Sequence, residues 1–434
     1  MSAVADFKDQ LELLDVDAKR KPGAEEGLES WYPYYAGYTE EFARTVISAA
    51  NLPENAVVMD PWNGCGTTTC VADRMGYDAI GFDINPVAVL VASAKFARAK
   101  DASGVFGLVD RIAKSALEKP ARASKKDPLR SWLRPGLVAV FRVIEREIIS
   151  DLASPDNEPL NPTKEALPPL ASFLLLALHK SARELAGIKI SSNPTWLRPK
   201  EKLPRHKKQD LTALWLSNVQ SMADDLGNSA RHQHNASPSI NFGDSRDIAL
   251  ESNSVDLIVT SPPYCTRIDY VINTSFELAA LGITEEGTRF DELRRGCMGT
   301  PLARKQTPPE STEFPDAVAS VLRKIKQHPS KASGTYYYKT YAQYFLDAYN
   351  SLKEIERVLK SQQAAVLVVQ SSYYKDVYID LPELYCELAR ELDMTSSIAA
   401  EFDVTKFLAQ INTRSTAHRK STNHSESVIV LEAS

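Results

Sequence analysis

The 434-residue chain has no Cys-X-X-Cys pair: Cys65, Cys70, Cys265, Cys297 and Cys386 are scattered and odd in number. A disulfide frame is not expected, and reduced thiols in a cytoplasmic protein are. There is no His-Glu-X-X-His and no paired Cys/His spacing around His232, His234 or the other histidines, so no metal site is expected. The longest conspicuous apolar run, Phe173–Leu178, falls far short of the roughly 20 residues of a bilayer span. The opening MSAVADFKDQLELL lacks the apolar stretch of a signal peptide. No membrane partner is expected. A positive balance is missing as well: 51 Lys+Arg against 56 Asp+Glu leave a net charge of −5, which taken alone argues against nucleic acid. Apolar residues at 43% and charged residues at 25% exclude disorder and coiled coil for the chain as a whole.

What is present alternates strand and helix. Ala56–Met59 reads as a buried strand, ended by Asp60-Pro61 and a glycine loop. A helix over Thr67–Met75 and a strand over Asp78–Phe82, ending at Asp83, follow. This βαβ order predicts an α/β fold with a mostly parallel sheet and helices on both faces. The pattern resumes at Val255–Thr260, with a helix over Tyr341–Leu359, a strand over Ala364–Gln370, a helix over Pro382–Leu392 and a last strand over Ser427–Leu431. The expected organisation is an N-terminal arm (1–30), one α/β domain (31–100 and 240–434), a helical insertion (101–239) and a second insertion within the domain (282–335). Within the first insertion, helices are expected over Gly136–Ile149 and Pro169–Ala186, before a basic stretch and the polar loop Gln233–Ser239.

Two segments carry chemistry. In Asp60-Pro61-Trp62-Asn63-Gly64-Cys65-Gly66-Thr67-Thr68, two glycines allow a tight turn and leave N–H groups at a helix N-terminus. Asp60 can hold an ammonium group. Asp83, 23 residues later at the end of the next strand, suits the two hydroxyls of a ribose. Thr69-Cys70 stands where a dinucleotide fingerprint needs its third glycine, and no Gly-Lys-Ser/Thr is present. A nucleoside with an ammonium group and no phosphates fits, and S-adenosylmethionine is that ligand. The second segment, Thr260-Ser261-Pro262-Pro263-Tyr264, follows the strand Val255–Val259. Its prolines hold a rigid extended loop with fixed carbonyl acceptors, and Tyr264 offers a flat face. Those are the requirements of an exocyclic amino group on a flipped base.

Together, and with Asn241-Phe242-Gly243-Asp244-Ser245 ahead of the second segment, they resemble the S-adenosylmethionine-dependent DNA amino-methyltransferases that form N4-methylcytosine or N6-methyladenine. The resemblance covers about residues 31–100, 240–280 and 340–434 and implies a Rossmann-like methyltransferase fold. Carried over, Tyr35, Asp60, Trp62, Gly64, Gly66, Thr67, Thr68, Asp83, Ile84, Asp244 and Ser245 would hold S-adenosylmethionine, and Ser261, Pro262, Pro263 and Tyr264 would hold the target base. The cofactor segment comes first here, whereas its spelling usually accompanies the reverse order. Serine opening the loop resembles the cytosine-N4 members. C5 chemistry is not expected, since Tyr264 stands where a nucleophilic cysteine would follow proline. N6-adenine, RNA or protein-amide methylation, and a catalytically silent nucleic-acid-binding subunit, are the alternatives. Double-stranded DNA is the implied partner, with a cognate restriction or defence protein as a second.

The negative total hides segregated charge. Arg198, Lys200, Lys202, Arg205, Lys207 and Lys208 face only Glu201 within 196–208. This proline-broken basic stretch suits phosphate tracking. Basic residues also gather in 121–134 and 289–305, and Arg267 follows the Pro-Pro-Tyr loop. The tyrosines Tyr336, Tyr337, Tyr338, Tyr341 and Tyr344 can stack bases or pack in a core.

Overall fold

The computed structural model describes residues 26–33, 37–119, 122–153, 166–188, 197–229, 238–266, 268–285, 287–304, 314–403 and 425–434. Strands β1 (Val57–Asp60), β2 (Asp78–Asp83), β3 (Ser239–Phe242), β4 (Val255–Thr260), β5 (Leu359–Gln370), β8 (Thr395–Asp403) and β9 (Ser425–Glu432) form one sheet in the order β3-β2-β1-β4-β5-β9-β8. A small hairpin, β6 (Ser372–Tyr374) with β7 (Val377–Ile379), stands apart. The first five strands in that order run parallel, while β9 is antiparallel to both β5 and β8. This is the Rossmann-like methyltransferase fold.

The central strands are apolar on both faces, as parallel strands covered on two sides must be. Val58, Leu257, Val259, Val366 and Val368 pack on one face with Phe42 and Val46 of α1 (Glu40–Ala49) and Val71 of α2 (Thr67–Met75). Their neighbours Met59, Ile258, Leu367 and Val369 fill the other. All nine residues of α3 (Pro86–Ala94) are buried. Val89 and Ala92 cluster with Ile240 of β3, while Val87, Leu90 and Val91 join a separate helical core.

That second core belongs to the long crossover from β2 to β3. It contains α4 (Phe106–Glu118), α5 (Pro135–Leu152), α6 (Pro169–Leu185) and α7 (Lys208–Asn228), and it also takes in Trp31 and Phe276. Helix α7 lies between the basic stretch and the polar loop Gln233–Ser239, where the sequence reading assigns no element. Its buried Leu211, Trp215, Val219, Met222 and Leu226 recur every three or four residues and pack it against the layer. Helix α8 (Tyr338–Val358) starts three residues earlier than expected and β5 five residues earlier, while β8 was not expected. Tyr338, Tyr341 and Tyr344 are buried core residues and not a stacking surface.

Candidate active site

Strand order reverses between β1 and β4, so the loops leaving them diverge around a crevice at the C-terminal edge of the sheet. β1 delivers Asp60 to this edge, 4% exposed. Its Oδ1 accepts from Thr260 Oγ1 at 2.5 Å and from the Trp62 N–H at 3.1 Å, and Tyr38 Oη lies 3.3 Å from Oδ2. The Tyr38 hydroxyl also meets Thr68 Oγ1, and both reach the Val259 carbonyl. Burial outweighs these hydrogen bonds and pushes Asp60 up to about 6. One network therefore ties the glycine loop to the start of the Ser-Pro-Pro-Tyr loop.

The glycine loop turns tightly. Gly64 and Gly66 take φ values of 50° and 80°, in the left-handed region. A Cβ on Gly66 would come 2.9 Å from the Ala92 Cβ, so glycine also permits the close approach of α2 to α3. Asp83 closes β2 and accepts the Gly64 N–H at 2.9 Å on one oxygen and the Asn85 N–H at 2.8 Å on the other. No basic side chain among the described residues pairs with it, and burial raises it to about 6. The 4%-exposed Asn63 lies over Gly81; its Nδ2 has no hydrogen-bond partner among the described residues.

The other expected ligand residues divide. Trp62 is half-buried against the sheet core, and Thr67 lies in the buried first turn of α2. Ile84 packs beneath Gly296, where a Cβ would meet its Cδ1 at 2.7 Å. Asp244 is held by Arg246 through Nε at 2.8 Å and a second nitrogen at 2.5 Å. Ser245 is buried and shares a 2.8 Å hydrogen bond with Ser351, so its hydroxyl is committed to the core. Tyr35 and Arg267 lie outside the described residues.

In the Ser-Pro-Pro-Tyr loop, Ser261 Oγ donates to the Val368 carbonyl of β5 at 3.0 Å, and the Pro263 carbonyl accepts from Tyr344 at 2.9 Å. Tyr264 donates to Glu426 of β9 at 3.1 Å. A segment that sequence reading treated as insertion lies directly beside these loops. Gly299, at φ 72°, approaches the Tyr264 carbonyl so closely that a Cβ would sit 2.8 Å from it. Cys297 lies near Asp83 and Asp269, and burial first, then those charges, push its thiol well up. The basic residues of 289–305 largely turn inward: Arg294 grips Asp269 and Arg304 grips Asp347. Asn85 reaches Thr274 at 3.1 Å, and Asp269 caps the short helix Tyr270–Asn273. Only the glycine at 299, in its turn, offered a sequence signal for this cover.

The 197–208 stretch lies on the helical layer. Arg198, Lys200, Lys202, Arg205, Lys207 and Lys208 are exposed, with Lys200 against Gly187 at the end of α6. Arg134 clamps the loop by donating to the Leu203 and Pro204 carbonyls. Among the described residues no cluster of His, Cys, Asp and Glu could hold a metal ion, and no helix is long and apolar enough to cross a membrane.

No protein-family model matches the chain. A curated relative, the Type II methyltransferase M.BsoBI of Geobacillus stearothermophilus, is 24% identical over 323 residues, covering 64% of this chain and 57% of that protein. The solved YcgJ protein from Bacillus subtilis overlaps 91% of this chain and 98% of its own at 7% identity and a TM-score of 0.34. The rRNA methyltransferase AviRa from Streptomyces viridochromogenes covers 99% and 95% at 11% identity and a TM-score of 0.26. TM-scores this low bear on neither fold nor substrate.

Proposed function

We propose that this protein is an S-adenosylmethionine-dependent DNA methyltransferase acting on the exocyclic N4 amino group of a flipped cytosine. The observation that carries the reading is the junction of the two loops: Asp60 at the end of β1 is bonded to Thr260, and Ser261-Pro262-Pro263-Tyr264 continues from there. The likeness to a Type II methyltransferase supports it. The residues present fit the cofactor. Asp83 has spent one site on each oxygen, leaving each able to accept a ribose hydroxyl. The orphaned Asn63 Nδ2 adds a donor within the same loop. Asp60, although engaged, remains a buried acid able to face an ammonium group.

When bound, S-adenosylmethionine supplies an electrophilic methyl group. The chain supplies position and polarisation. Ser261 Oγ points its hydrogen at the Val368 carbonyl, so its lone pairs are left to accept an amino hydrogen. The Pro262 carbonyl, which follows in the rigid loop, takes the second. Accepting both hydrogens moves electron density toward a nitrogen that is otherwise conjugated and poorly nucleophilic. Tyr264 stacks on the extruded base, offsetting an extrusion cost of about a few kcal/mol. The exposed 198–208 basic loop tracks phosphates. Incubating purified protein with labelled S-adenosylmethionine and duplex DNA, then separating nucleosides, tests this: label is expected in N4-methylcytosine. Label only in N6-methyladenine overturns the base assignment, and label only in RNA overturns the substrate class.

A further inference from the structure

We propose that Glu426 is a positioning residue that fixes the direction of the hydrogen-bond chain through the catalytic loop, so that Ser261 presents lone pairs and not a proton to the substrate amine. This inference rests on the amino-methyltransferase reading above. Glu426 stands at the start of β9, directly across from Gln370 at the end of β5, because β9 runs antiparallel. The reversed strand thus brings an acid to the same edge as the loops after β1 and β4. Glu426 is 9% exposed. Its Oε1 accepts from the Tyr264 hydroxyl at 3.1 Å, and the same hydroxyl lies 3.5 Å from Ser261 Oγ.

The direction follows from who can donate. An ionised carboxylate only accepts, so the Tyr264 proton is committed to Glu426. The phenol oxygen can then only accept from the Ser261 side. Ser261 has one proton, held by the Val368 carbonyl at 3.0 Å. Neither of these two acceptors leaves that proton facing the substrate. Burial, and then the charge of Glu426, raise the Tyr264 phenol above its usual range and keep it a donor. An amide at position 426 loses this control: its carbonyl can accept from Tyr264, but its NH2 can also donate to the phenol oxygen. In the second arrangement the Tyr264 proton turns to Ser261 and occupies a lone pair that the amine needs.

The test is a double-mutant cycle of Glu426→Gln and Tyr264→Phe, with single-turnover methyl transfer and dissociation constants for DNA and S-adenosylmethionine measured on each folded variant. Glu426→Gln is expected to slow transfer about tenfold with both dissociation constants unchanged. In the Tyr264→Phe background, whatever rate that variant sets, Glu426→Gln is expected to add no further loss, since the hydroxyl it directs is gone. Equal losses in both backgrounds, or a wild-type rate for Glu426→Gln, overturn the proposal. The ζ-carbon resonance of labelled Tyr264, read without substrate, separates this inference from the functional reading. It is expected to move in Glu426→Gln even should the wild-type protein methylate no nucleic acid, and an unmoved resonance contradicts the role of Glu426.

Discussion

Asp60 and Asp83 are both raised to about 6 by burial. A carboxyl raised on folding keeps its proton longer in the folded state, so the folded protein binds more protons between about pH 4 and pH 6. Stability therefore falls as pH climbs through that window, and the penalty is complete above it. A ligand that donates hydrogen bonds to the ionised acids has the opposite dependence. S-adenosylmethionine affinity, measured by calorimetry, is expected to rise as pH increases through about 6, with proton release; a flat affinity from pH 5 to 8 contradicts the assignment. Asp83→Asn is expected to weaken binding at pH 7.5 about tenfold, because its single oxygen cannot accept from both the Gly64 and Asn85 N–H groups and its NH2 faces whichever is left. Ser261→Ala is expected to lower kcat by roughly 10²–10³ while leaving S-adenosylmethionine affinity unchanged, as a stopped-rate and equilibrium-binding pair reads out. At this scale the sequence is informative where the chemistry is spelled locally, as in Asp60–Thr68 and Ser261–Tyr264. It is silent where partners are distant: Tyr38 with Val259, Asp60 with Thr260 and Tyr264 with Glu426 meet only through the fold.

Among elements, the helical layer is joined to the sheet domain by charge as well as by apolar packing. Arg142 of α5 binds Asp127 through two nitrogens at 2.9 and 3.0 Å, pairs with Glu145, and donates to the Ala279 and Ala280 carbonyls that end the helix Ser275–Ala280. That helix follows the Ser-Pro-Pro-Tyr loop in the chain. Arg142→Ala leaves two largely buried acids without their cation and is expected to cost about 3–5 kcal/mol, seen as a lower urea midpoint. Arg142→Lys is expected to recover only part, lacking the planar fork. The strands were legible because Leu257–Val259 of β4 and Ala364–Val369 of β5 are continuous apolar runs buried on both faces. The edge strand β8 escaped because Thr395, Ser396 and Ser397 give it no such run, and pairing with β9 makes it a strand. Helix α7 escaped because its basic start and polar face mask a buried stripe.

For the whole molecule, the net charge of −5 conceals an exposed basic loop on the helical layer. Replacing Lys202, Arg205, Lys207 and Lys208 together by alanine is expected to weaken duplex DNA binding and make its salt dependence shallower, with S-adenosylmethionine affinity unchanged. An unaltered salt slope removes this loop from the DNA-binding surface. The most direct measurement of the central claim is nucleoside mass spectrometry of genomic DNA from a methylation-free host carrying the gene, beside the same host carrying Ser261→Ala. N4-methylcytosine is predicted with the wild-type gene and not with the variant. Absence of any methylated base with the wild-type gene, or equal methylation with both, contradicts a methyl-transfer centre built from the loops after β1 and β4.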